Sequence, residues 1–148
     1  PYLNYLLLAG QSGRATELGS YVWSGETNLG PAPDLAETLS VLREEAGIAP
    51  RRLSAPEIVA RVMSELAAEG AALIQSEGAH RASDVDLAAL IVLGLGRYRG
   101  GPLFWADEAG LLQVRKRLRA LADEGAPPPV TLWDVLIRNG KHFADITG

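Results

Sequence analysis

Gly94-Leu95-Gly96-Arg97-Tyr98-Arg99-Gly100-Gly101 is the stretch on which the fold is decided. Closely spaced glycines let a backbone approach a pyrophosphate, but that use requires a strand before the loop and a helix N-terminus directly after it. Neither flank fits. Upstream, Ser83 with Asp86 predicts a helix start, followed by Val85, Leu87, Ala88, Ile91 and Val92 at helical spacing. Downstream, Pro102 intervenes. About twenty residues on, where an acidic ribose ligand is expected, the chain carries Arg115, Lys116, Arg117 and Arg119. The stretch reads as a tight helix-to-helix loop, which points to an all-α fold.

The segments around it carry helical periodicity almost throughout. Residues 1–9 predict a short apolar helix stopped by Gly10 and Gly13. Residues 10–33 form a turn-rich connector holding Gly10, Gly13, Gly19, Gly25, Gly30, Pro31 and Pro33, with Tyr21-Val22-Trp23 its one strand-like element. Asp34 caps a helix carrying Leu35, Leu39 and Leu42, closed by Gly47 and stopped by Pro50. Ser54 with Glu57 makes a capping box, with Pro56 tolerated in the first turn. Ile58, Val59, Val62, Met63, Leu66, Leu73 and Ile74 then trace an apolar face to about residue 77. Gly70 and its neighbouring alanines mark where a partner helix can approach closely. Asp107 can cap a helix bearing Leu111, Val114, Leu118 and Leu121, ended by Gly125 and Pro127-Pro128-Pro129. Thr131 with Asp134 opens the last helix, and Gly140 ends it. No stretch alternates with period two. The expectation is an all-α helical bundle over residues 51–148, preceded over residues 1–50 by an irregular segment with one helix.

Composition narrows the function classes. The chain has 148 residues, 47% hydrophobic and 22% charged, which is ordinary soluble usage. A chain of this length buries roughly two-thirds of its unfolded surface and can build a core. Its formal charge of −4 argues against nucleic acid as a partner. Without cysteine, disulfides and thiolate metal sites are excluded, and two histidines leave little for a metal. Apolar runs reach about eight residues against roughly twenty needed to span a bilayer, so no membrane partner is expected. No basic-then-apolar leader opens the chain, and the expectation is a soluble cytoplasmic domain. Pro1 in place of Met predicts a cut inside a longer protein.

Candidate chemistry is sparse. Arg115, Lys116, Arg117 and Arg119 can hold a phosphorylated ligand such as a coenzyme A tail, or form the solvated face of an amphipathic helix; the second reading is preferred. His80 and His142 lie near helix boundaries with no serine or carboxylate at relay spacing. Asp84 and Asp86 fall in a first helical turn, where free amides and the helix dipole favour acids without any catalysis. Phe104-Trp105 and Trp133 read as rings that anchor loops onto a core. No catalytic residue, cofactor-binding residue or metal ligand can be assembled.

Taken together, several stretches resemble a known family. These are Arg61 to Glu69 on a helix, Arg81-Ala82-Ser83-Asp84-Val85-Asp86, Leu93-Gly94-Leu95-Gly96, Arg99-Gly100-Gly101-Pro102-Leu103-Phe104-Trp105-Ala106-Asp107 and Gly110-Leu111. The set is similar to the C-terminal helical domain of 3-hydroxyacyl-CoA dehydrogenases, and more specifically to its second, repeated copy in multifunctional fatty-acid oxidation proteins. It covers about residues 54–144. Upstream, Gly10-Gln11, Gly19, Tyr21 and Trp23 resemble the tail of the first repeat and its linker. There are departures. A Phe-Pro pair common after the Gly-x-Gly is missing before Arg97, and Ala68 stands before Glu69 where Asn-Glu is common. The family's NAD fingerprint, catalytic His-Glu pair and active-site Asn have no counterpart here.

The resemblance implies a structural part of an NAD-dependent enzyme that oxidises 3-hydroxyacyl-CoA in β-oxidation. NAD would be bound by a separate domain, and the implied partners are that domain, the first helical repeat, or a second copy in a homodimer. Arg97, Arg99, Gly100, Gly101, Pro102, Trp105 and Asp107 are the candidates for a substrate-cleft or structural loop. Two further readings stand beside it: a helical interaction and dimerisation module without acyl-CoA function, and a small phosphate-ligand binder using Arg97, Arg99 and the basic helix.

Overall fold

The computed structural model describes residues 2–146; Pro1, whose identity suggested a cut chain, lies outside them. The chain divides into two compact units, Pro1–Arg52 and Leu53–Gly148.

The first unit runs α1 (Tyr2–Leu8), a 3-10 turn (Arg14–Thr16), β1 (Tyr21–Ser24), β2 (Thr27–Pro31) and α2 (Leu35–Glu45). The strands form an antiparallel hairpin in which Ser24 pairs with Thr27 and Tyr21 with Pro31, with a bulge between Val22 and Trp23. The hairpin corrects the expectation of a single strand-like element. Thr27-Asn28-Leu29-Gly30-Pro31 carries no alternation because only Gly30 escapes full exposure. The structural signal lies in the turn instead. Gly25, at φ +57, is the first residue of a two-residue loop, where a type II′ turn needs a positive φ. Asp34 stands before α2 without a side-chain cap bond.

The second unit is a bundle of α3 (Ala55–Gln75), α4 (Ala82–Val92), α5 (Pro102–Ala109), α6 (Leu111–Asp123) and α7 (Thr131–Arg138), closed by a 3-10 turn at Phe143–Asp145. Ser54 Oγ accepts from Glu57 N at 3.3 Å, so the sequence-predicted start of α3 is in place. Its inward face is not the one traced by the large residues. Met63, Ser64, Ala67, Gly70 and Ala71 are buried, whereas Ile58, Val59, Val62 and Leu73 are exposed. Close packing decided this. A Cβ at Gly70 would stand 2.9 Å from Val85 Cγ1 and 3.2 Å from Leu103 Cδ2, so α4 and α5 approach α3 where it is thinnest.

The core joins Ala67, Ala71, Leu103, Ala106, Leu111, Val114, Leu118, Leu121, Trp133, Leu136 and Phe143. Every apolar position expected inward on α6 is buried. Phe143 meets Trp133 edge to face at 4.9 Å. Among the described residues, no helix is long and apolar enough to cross a membrane.

Candidate functional site

The start of α5 lies beneath the glycine-rich stretch, and it is built from two distant pieces of chain. Gly101 precedes the helix with no side chain to cap it, and Pro102 occupies the first turn, where its missing N–H is no loss. The free amides of Leu103 and Phe104 donate instead to Asp86 on α4, at 2.7 and 3.0 Å to its two carboxylate oxygens. Asp86 therefore caps a neighbouring helix rather than its own. A Cβ at Gly101 would lie 2.2 Å from Asp86 Cβ, so glycine is required for this approach. Burial raises the Asp86 carboxyl above the ordinary aspartate range; the two amide bonds pull it back, and the nearby charge of Asp107 pushes it up.

Asp107 repeats the device one step along. It lies within α5 rather than capping α6 as its sequence position suggests, and Gly110, at φ +87, makes the break between the two helices. Its oxygens accept from Phe143 N at 2.9 Å and Ala144 N at 3.0 Å, seating the C-terminal turn. His142 Nδ1 is 3.6 Å away, and His142 N donates to Asp145 Oδ2 at 2.8 Å. A cavity of about 280 Å³ lies between these elements, lined by Arg81, Ser83, Asp86, Phe104, Asp107 and Ile146 among others. Arg81 is held by Asp84 through two 3.0 Å bonds, so Asp84 forms an ion pair rather than a cap.

The remaining candidates lie apart from this cavity's lining. Arg97 and Arg99 belong to an exposed 3-10 turn, where the Arg99 guanidinium stacks 5.3 Å from the Tyr98 ring centre. Gly100, at φ +65, leads into the buried Gly101 and Pro102. Trp105 is half-buried against the core, while Phe104 is exposed at the cavity edge. On the basic helix, Arg115 pairs with Asp134 of α7 and Arg119 lies 4.0 Å from the same carboxylate. Asp134 is thus an inter-helix ion-pair partner rather than part of a cap for Thr131. The start of α7 is capped by Gln75 of α3, whose Oε1 accepts from Leu132 N at 2.8 Å. His80 is exposed in the turn after α3.

A dinucleotide does not fit the glycine stretch. The preceding element is a helix, and the amides that would meet a pyrophosphate already bind a carboxylate of the same sign. Chemically, the site binds its own helix ends. Reasoning from local sequence missed this role of Asp86, because helix-start signals are read within a few residues and the amides it serves lie 17 and 18 positions away.

No family model matches the chain. It is 34% identical over 138 residues to a peroxisomal bifunctional enzyme of Danio rerio, covering 89% of this chain and 19% of the relative. It is 31% identical to the human peroxisomal bifunctional enzyme, covering 80% of this chain and 17% of the relative. A glyoxysomal fatty acid beta-oxidation multifunctional protein of Cucumis sativus is 31% identical, with 72% of this chain and 15% of the relative covered. These names place the relatives in peroxisomes and glyoxysomes, whereas composition suggested a cytoplasmic domain. The chain is a homologue, over most of its length, of the peroxisomal and glyoxysomal multifunctional β-oxidation enzymes, of which it spans less than a fifth.

Proposed function

We propose that this chain is the C-terminal helical domain of an NAD-dependent 3-hydroxyacyl-CoA dehydrogenase unit. It supplies packing and part of the acyl-CoA cleft without performing hydride transfer. The observation that carries this reading is the similarity, 34% identity over 138 residues, to a peroxisomal bifunctional enzyme; the α5 start, where Asp86 occupies the amides a dinucleotide would need, agrees with hydride transfer lying elsewhere. NAD would then be held by a nucleotide-binding domain outside this segment, in the same protein or a separate subunit. Arg97, Arg99 and Gly100 present the exposed edge to a neighbouring domain, while Gly101, Pro102, Trp105 and Asp107 hold that edge in shape.

The test is turnover. Purified chain incubated with 3-hydroxybutyryl-CoA and NAD is expected to form no NADH, and steady NADH formation proportional to chain concentration would overturn the reading.

A second reading, a helical interaction module that dimerises, is favoured by one feature. Leu66, Leu73, Val85, Ala88, Val92 and Leu93 line an apolar groove of about 270 Å³ between α3 and α4. The dehydrogenase reading also allows a homodimer, so the coding context separates the two: a nucleotide-binding domain encoded in the same reading frame or beside it supports the dehydrogenase domain, and a source protein with none supports the module.

A further inference from the structure

We propose that Asn139–Gly140 is a site of spontaneous covalent modification, where the main chain cyclises through the Asn139 side chain and reopens as aspartate or isoaspartate. In the first step the Gly140 nitrogen attacks Asn139 Cγ. The Cγ–Nδ2 bond breaks, and the amide leaves as ammonia with the Gly140 proton. A five-membered succinimide results. Water then adds to one of its two carbonyls and opens the ring, giving an α-linked aspartate or a β-linked isoaspartate.

The chain has three asparagines, and only Asn139 precedes a glycine; Asn4 is followed by Tyr5 and Asn28 by Leu29. Glycine matters because a Cβ on the following residue crowds the attacking nitrogen. Asn139 is exposed and sits at the C-cap of α7, and Gly140 follows in the left-handed region at φ +62. Two bonds hold the reacting groups apart. Asn139 Nδ2 donates to Val135 O at 2.7 Å, and Gly140 N donates to Ile137 O at 3.2 Å. Both belong to the last turn of the helix, the part that frays first. Fraying releases the nitrogen and the carboxamide together, so the fraction of time this turn is open scales the cyclisation rate.

The consequence reaches the C-terminal turn. The new carboxylate lies at the negative end of the α7 dipole, where an anion is disfavoured. The isoaspartate route also adds one carbon to the main chain just before Gly140. The turn beyond is seated by Phe143 in the core and by Asp107 on its amides, and that seating depends on register.

The full chain is incubated at neutral and mildly alkaline pH, and residue 139 is followed by peptide mass spectrometry and isoaspartyl methylation. Aspartate and isoaspartate are expected at 139, growing with time and with pH, and not at Asn4 or Asn28. Asn139→Gln and Asn139→Ser each abolish the signal, and converted chain separated by charge melts at a lower temperature than unconverted chain. An unchanged Asn139, under conditions that convert a free peptide of residues 131–146, would overturn the proposal. Equal melting of the two forms would overturn its consequence for the C-terminal turn.

Discussion

Asp86 is a half-buried carboxylate that spends both oxygens on the amides of Leu103 and Phe104. Removing a helix cap costs about 1–2 kcal/mol, so Asp86→Ala is expected to lower unfolding stability by that amount at neutral pH, measured by urea denaturation. Because burial raises the carboxyl in the folded state, the native chain binds this proton more readily than the unfolded chain. The Asp86 contribution to stability therefore grows as pH falls through its raised folded value and levels off below the unfolded value of about 3.9. The stability gap between wild type and Asp86→Ala should widen on mild acidification, and a gap that narrows would contradict the assignment. Gly101→Ala tests the same approach from the other side. A Cβ placed 2.2 Å from Asp86 Cβ forces the two segments apart. A loss of roughly 1–3 kcal/mol follows, the usual range for overpacking.

At the scale of elements, three starts in the second unit are held from outside. Asp86 of α4 caps α5, Asp107 of α5 caps the C-terminal turn, and Gln75 of α3 caps α7. This arrangement explains which elements were legible in the sequence. The start of α3 is signalled locally by Ser54 and Glu57, and α6 by its leucine and valine spacing, and both form as expected. Helix α5 has no capping side chain at its start to signal it, since Gly101 precedes Pro102 there. On α3 the expected close approach at Gly70 and its neighbouring alanines is in place, but the large apolar residues divide, with Met63 buried and Ile58, Val59, Val62 and Leu73 exposed, because small residues set how closely helices pack. Of the proposed site residues, Asp107, Gly101 and Pro102 could be picked out as special, but their roles depend on partners far along the chain. The C-terminal turn should depend heavily on its plug. Phe143→Ala is expected to cost roughly 3–5 kcal/mol in thermal or urea unfolding, with a changed Trp133 fluorescence, since the two rings are in contact.

At the scale of the molecule, the two units differ in what they bury. Among the described residues of the first unit only Gly19 and Ala32 are buried, whereas the second carries a continuous core. The second unit should therefore fold alone. A chain of residues 53–148 is expected to unfold cooperatively, and brief trypsin treatment should cut in the irregular stretch at Arg51-Arg52 before it degrades the helical core. Loss of cooperative unfolding in the shortened chain would show that the first unit completes the core. The Asp86 carboxylate closes the helix start under the glycine stretch, which leaves no free amides there for a dinucleotide phosphate. Calorimetric titration of the purified chain with NAD tests it most directly. No saturable heat is expected up to millimolar ligand, and stoichiometric, saturable binding would show that the helix start is open to a dinucleotide.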